Sequence, residues 1–272
     1  MNMRRERTFH SFWLILGAIF LLCLPGFIWR PHQEAHVRAN YRSMIAPVFL
    51  VPGSSATQNR FNALVKELNK ESGTKHSLLR VEVMTDGTLK YSGTIRQDDM
   101  RPYIVVGFQN RHDGAANIEN QAKWFGIAFR ALQKTYAFNH FSAMGHSNGG
   151  LVLTLFMEDE LAATHVHADQ LMTIAAPFNL EEQNPKVDTP LFDRLCANRN
   201  RLPKQLVVYS IAGSKTYTGD GIVPFDSVNR GKYIFQNQVK NFTQMTVTGA
   251  NANHANLPEN QQIVSLIQQY LL

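Results

Sequence analysis

Cysteine is scarce in this chain: of 272 residues, only Cys23 and Cys196 carry a thiol. Cys23 sits in an apolar stretch and Cys196 lies far downstream, so no pairing between them is expected. Two such residues allow neither a disulfide framework nor a zinc-ligand spacing. A domain of this length can be stabilised by its core alone. Charge is also sparse, at 18% of residues against 44% hydrophobic, the balance of a globular chain rather than a disordered one. Internal repeats and low-complexity tracts are absent. So is any basic run interleaved with aromatics, which excludes nucleic acid as an expected partner. No metal and no cofactor are expected.

The net charge of +6 is concentrated at one end. Ahead of Ile45, Arg4, Arg5, Arg7, Arg30, Arg38 and Arg42 face only Glu6 and Glu34. Residues 11–29 then hold no charged side chain, with Trp13 and Trp29 near the two ends. Arginines before an apolar stretch read as an export signal, and this stretch just reaches bilayer-spanning length. Cleavage is poorly marked, since Val37-Arg38-Ala39 is a weak site distant from the apolar core. Residues 1–44 are therefore expected to be a signal anchor and linker. The membrane is then a partner through that segment, and residues 45–272 form a domain outside the cell, secreted instead if the segment is cleaved.

The body alternates strand and helix signals. Residues 46–51 are a short apolar run ending at Pro52-Gly53, the pattern of a buried strand. Phe61, Leu64, Val65 and Leu68 have helical spacing. Leu79, Val81 and Val83 alternate with polar residues before Asp86-Gly87, a hairpin signal continued by Leu89 and Tyr91. Further strands are expected at 103–108, 141–144, 171–175, 206–212 and 244–248, and helices at 115–136, 150–161 and 259–272. Such alternation predicts an α/β fold with a mostly parallel sheet flanked by helices, carrying a β-hairpin insertion. Residues 178–205, with three prolines and the apolar cluster Leu191, Phe192 and Leu195, read as a short lid over the strand ends.

Gly145-His146-Ser147-Asn148-Gly149 falls between a strand and a helix. Gly-x-Ser-x-Gly alone arises by chance in about one chain of this length in ten. Its position at a strand-to-helix turn is what gives it meaning, because a serine there projects its hydroxyl at the top of the sheet of an α/β-hydrolase fold. Side chains at 145 and 149 are expected to clash with the backbone of such a turn. A serine hydroxyl needs a base, and in this fold the partners follow in the order serine, acid, histidine. His165 and His167 come too early, just past the nucleophile's helix, whereas His254 follows the final strand. Asp220, in Gly219-Asp220-Gly221, comes shortly after the strand at 206–212, with Asp226 as runner-up. The expected catalytic residues are Ser147, Asp220 and His254. The expected oxyanion donors are the backbone N–H groups of Asn148 and Ser54, with Ser55 as the alternative to Ser54.

The chain resembles a Gram-positive bacterial family of cell-surface α/β hydrolases catalogued as a domain of unknown function. The resemblance rests on Pro52-Gly53, Asp86-Gly87, Gln121-Ala122-Lys123-Trp124, Gly145-His146-Ser147-Asn148-Gly149-Gly150, Gly219-Asp220-Gly221-Ile222-Val223-Pro224 and His254, spread over most of residues 45–272. It implies a Ser147–Asp220–His254 triad and placement at the cell surface, and it names no substrate. Relatives often carry His-Gly where Pro52-Gly53 stands here and Met at the position of Asn148, changes that backbone donors should survive. The expected activity is hydrolysis of a small-molecule or lipid-like carboxylic ester through an acyl-enzyme. The competing expectation is a surface binding module with a dormant triad, its ligand site lined by residues such as Phe178, Phe192 and Phe225.

Overall fold

The computed structural model describes residues 44–184 and 186–272, and one compact unit spans Met44–Leu272. The expected signal anchor at 11–29 lies outside the described residues. Among these residues no helix is long and apolar enough to cross a membrane.

Nine strands and seven α-helices are present among the described residues. The strands are β1 (Val48–Val51), β2 (Leu78–Val83), β3 (Leu89–Ser92), β4 (Tyr103–Phe108), β5 (His140–His146), β6 (His167–Ile174), β7 (Phe178–Glu181), β8 (Val207–Gly213) and β9 (Asn241–Val247). The helices are α1 (Asn62–Glu71), α2 (Ala115–Tyr136), α3 (Asn148–Asp159), α4 (Pro190–Asn198), α5 (Phe225–Asn229), α6 (Gly231–Phe235) and α7 (Gln261–Tyr270). Eight strands make one sheet in the order β3-β2-β4-β1-β5-β6-β8-β9. Every pairing is parallel except β2 with β3. This is the α/β-hydrolase architecture. One arm of the expected hairpin, β2, is itself a strand of the parallel sheet, and only β3 is added antiparallel at the edge.

The continuous apolar runs are buried because helices cover both faces. Phe49 and Val51 of β1 join α2 and α3 on one side, while Val48 and Leu50 join α1 and α7 on the other. Phe49 packs among Phe125, Phe129, Phe138 and Phe141, with ring centroids 5.3–5.8 Å apart. Each such pair adds about 0.5–1.5 kcal/mol beyond its burial. Helix α3 is apolar nearly all round and is buried from Asn148 to Glu158, so its outer face also needs a cover.

Residues 178–205 supply that cover. Leu191, Phe192 and Leu195 are core residues in the same cluster as α3 and Phe178, so the apolar group read as lid surface is spent on the helical layer. Thr189 caps α4 ahead of Pro190, and Arg194 pairs with Asp159 of α3 and Glu119 of α2. Buried Asn179 ties the segment together, donating to the Val187 carbonyl and accepting from the Thr189 N–H.

Near the end of α3, Glu158 is buried, and neither carboxylate oxygen has a hydrogen-bond partner among the described residues. Burial, reinforced by the neighbouring Asp159 charge and opposed by Arg194 and Arg201, pushes its pKa up to about 9 from an ordinary 4.5. The folded state therefore holds a proton that the unfolded state releases, and stability falls as pH rises from about 4.5 toward about 9. Glu158→Gln should match the wild type in Tm near pH 4 and exceed it by several degrees near pH 8. Calorimetry that finds the same pH dependence in both proteins would contradict this.

Candidate active site

The site lies at the carboxyl ends of the central strands, where β1 sits between β4 and β5 and the connections diverge. Three loops meet there: the one after β1 with Ser54, the one after β4 with Asp113, and the turn from β5 into α3 with Ser147.

The turn closes only because its small residues let backbones touch. A Cβ on Gly149 would lie 2.1 Å from the Val51 carbonyl oxygen, and one on Gly145 would lie 2.4 Å from the Gly150 nitrogen. Ser147 is left at φ 55° and ψ −132°, a conformation costing a non-glycine residue about 1–3 kcal/mol. Its N–H donates to the Ile174 carbonyl at 2.8 Å, and its carbonyl accepts from Gly150 at 2.9 Å. These bonds hold the strained residue, which is half-buried.

Ser147, His254 and Asp220 are brought together. The Ser147 Oγ lies 3.0 Å from His254 Nε2, and His254 Nδ1 lies 2.7 Å from Asp220 Oδ2. Asp220 is 2% exposed, and its Oδ1 accepts from the N–H groups of Ile222 and Val223 at 3.0 and 2.8 Å. The His254 N–H donates to the Asp220 carbonyl at 3.1 Å, so acid and base are joined through backbone as well as side chain. Asp226 stands at the start of α5 instead. His167 begins β6, at the opposite end of the sheet, and His165 lies two residues before it.

The N–H groups of Ser54 and Asn148 have no acceptor among the described residues, while the Ser55 N–H donates to the Arg111 carbonyl. That occupancy favours Ser54 over Ser55 as a donor. Gly53 brings this loop against the nucleophile: a Cβ there would lie 2.6 Å from Ser147 Cβ.

Several residues around the site carried no sequence signal of their role. His146 donates from Nε2 to the His254 carbonyl at 2.9 Å, with the two rings 4.8 Å apart. Burial, with the His254 and Arg60 charges adding to it, holds the His146 pKa well below the ordinary histidine value. That bond requires a proton on Nε2, which fixes the tautomer of the neutral ring. Arg60, in the loop after β1, pairs with Glu259 at 2.5 Å and donates to the Ala255 carbonyl, fixing the turn that carries His254. Asn148 donates from Nδ2 to Ser54 Oγ and to Asp113 Oδ1, at 2.6 and 2.7 Å. Buried Gln121 donates to the Asn110 carbonyl at 2.8 Å and so pins the loop that carries Asp113.

Phe178 and Phe192, candidate ligand-lining residues, are buried in the core. Phe225 is half-buried and lines an open cavity of about 400 Å³ with Tyr217, Gly219, Ile222, Pro224 and Gln183. This cavity borders the loop that carries Asp220. No group of three or more metal-ligating side chains is present among the described residues.

Comparison with known proteins places this geometry in context. A family model described as "Alpha/beta hydrolase of unknown function (DUF915)" matches residues 35–272. A solved structure described as the "putative cell surface hydrolase" of Lactobacillus plantarum WCFS1 is 59% identical. It covers 84% of this chain and 91% of its own, with a TM-score of 0.77. The lin2722 gene product of Listeria innocua is 27% identical over 84% of this chain and 94% of its own, with a TM-score of 0.78. Bacillus licheniformis lipase BlEst2, at 11% identity and a TM-score of 0.51, covers 84% of this chain and 92% of its own and shares the fold alone. No curated protein matches the chain.

The strained serine yields a prediction. Ser147→Gly and Ser147→Ala both remove the hydroxyl, but only glycine relaxes at φ 55°. With glycine's entropic cost of about 0.5–1 kcal/mol set against about 1–3 kcal/mol of strain, Ser147→Gly should be the more stable by about 1 kcal/mol. Denaturant titration giving the reverse order would remove strain from the account.

Proposed function

The chain belongs to the family of α/β hydrolases of unknown function designated DUF915, and from that premise we propose that it is an extracytoplasmic serine hydrolase acting on carboxylic esters. The observation that carries the proposal is the unbroken line from Ser147 Oγ through the His254 ring to the buried Asp220 carboxylate, at 3.0 and 2.7 Å.

In this reading Ser147 Oγ attacks the acyl carbon while His254 Nε2 takes its proton. Asp220 fixes the ring with its proton on Nδ1 and stabilises the imidazolium that forms. The carbonyl oxygen becomes an oxyanion held by the N–H groups of Ser54 and Asn148, at the amino end of α3, where the helix dipole also favours negative charge. The imidazolium then protonates the departing alcohol, leaving an ester on Ser147. Water, deprotonated by His254, attacks that ester and releases the acid. The cavity lined by Tyr217, Ile222 and Phe225 supports a site for one organic arm of the substrate.

Placement outside the cell is supported by the description of the Lactobacillus plantarum relative as a cell surface protein. It is supported also by the arginine-flanked apolar stretch at 11–29, which would act as a single-pass anchor.

A panel of p-nitrophenyl esters of graded acyl length tests the proposal. The full chain should hydrolyse at least one of them, and Ser147→Ala should lower kcat by about 10⁴-fold or more. Asp220→Asn should cost about 10⁴-fold. Equal turnover by wild type and Ser147→Ala would overturn the assignment.

A further inference from the structure

The side chain that follows the nucleophile has a role the triad does not require. Asn148 is 4% exposed, and its Nδ2 sits between Asp113 Oδ1 at 2.7 Å and Ser54 Oγ at 2.6 Å. The orientation of this amide is forced. A carboxylate only accepts, and Asp113 Oδ1 already takes the Gly114 N–H at 2.7 Å, so the Asn148 atom facing it must be the NH₂. An amide nitrogen has two hydrogens and accepts nothing. Its second hydrogen therefore goes to Ser54 Oγ, which is the acceptor in that bond.

A hydroxyl that accepts on one lone pair still has its own proton to give. The Ser54 O–H has no acceptor among the described residues, and neither has the Ser54 N–H. Both donors belong to the residue next to Gly53, whose backbone approaches so closely that a Cβ there would lie 3.1 Å from Ser147 Oγ. The loop is held in place from behind, since the Ser55 N–H is bonded to Arg111 in the same loop as Asp113.

We propose that the Ser54 hydroxyl is a third oxyanion donor, beside the two backbone N–H groups, and that Asn148 is the positioning residue that orients it, anchored on Asp113. No proton is transferred: the O–H bond of Ser54 stays intact, and its hydrogen bond strengthens as the substrate's carbonyl oxygen gains charge. The proposal rests on the serine-hydrolase reading above. It also gives Asn148 two parts in one site, since its N–H is one donor and its side chain aims another.

Kinetics of full-length variants test this, by turnover of p-nitrophenyl esters and by the rate at which a fluorophosphonate labels Ser147. Ser54→Ala keeps its backbone N–H and should lose about 10²-fold in kcat and in labelling rate with KM unchanged. Ser54→Thr should recover most of the loss. Asn148→Ala should also lower kcat, and the double variant should be no slower than Ser54→Ala, because Asn148's side chain acts through Ser54. A Ser54→Ala variant with wild-type kcat and labelling, or losses that multiply in the double variant, would overturn the proposal while leaving Ser147 as nucleophile. A wild type labelled no faster than Ser147→Ala would overturn the underlying reading instead.

Discussion

The site depends on one steric constraint: the backbone after β1 and the backbone of the β5–α3 turn are in direct contact. Gly149 meets the Val51 carbonyl and Gly53 meets Ser147 across that contact, and within the turn Gly145 meets Gly150, each at a distance that leaves no room for a methyl group. Side chains at these positions would push the loops apart. With them absent, the nucleophile is held at a positive φ, and the N–H groups of Ser54 and Asn148, which have no acceptor among the described residues, are left beside it. The strain at Ser147 and the proposed oxyanion site are thus two consequences of the same contact.

What surrounds that contact is a set of bonds that position side chains through backbone. His254 is held by three neighbours: its N–H on the Asp220 carbonyl, its own carbonyl on His146, and the adjacent Ala255 carbonyl on Arg60. The His146 bond needs a proton on Nε2, and the burial that depresses its pKa favours the neutral ring in that tautomer. Hydrogen bonds of this kind are modest individually. Together they remove the rotational and translational freedom that would otherwise have to be lost at each turnover.

Much of the architecture could be read directly from residue order. Runs such as 103–108 are buried on both faces, so their apolar character is continuous and local, and the Asp86-Gly87 turn is specified by two residues. The order Ser147, Asp220, His254 was legible because each candidate follows a recognisable strand. The rest depends on partners remote in the chain. Asn148 and Asp113 are 35 positions apart, and Arg60 and Glu259 are 199 apart. Nothing in the local pattern marks Arg60 as the residue that steadies the base. The same limit explains residues 178–205. Their prolines and apolar cluster announce an excursion, but only the fold shows that α3 presents an outer apolar face for Leu191, Phe192 and Leu195 to cover.

The central claim is that Ser147 becomes covalently acylated. Mass spectrometry of protein quenched in acid during hydrolysis of a p-nitrophenyl ester tests it most directly. The account predicts an added acyl mass on the peptide containing Ser147, and none when His254 is replaced by alanine. Hydrolysis with no adduct at Ser147, or with the adduct on another residue, would contradict it.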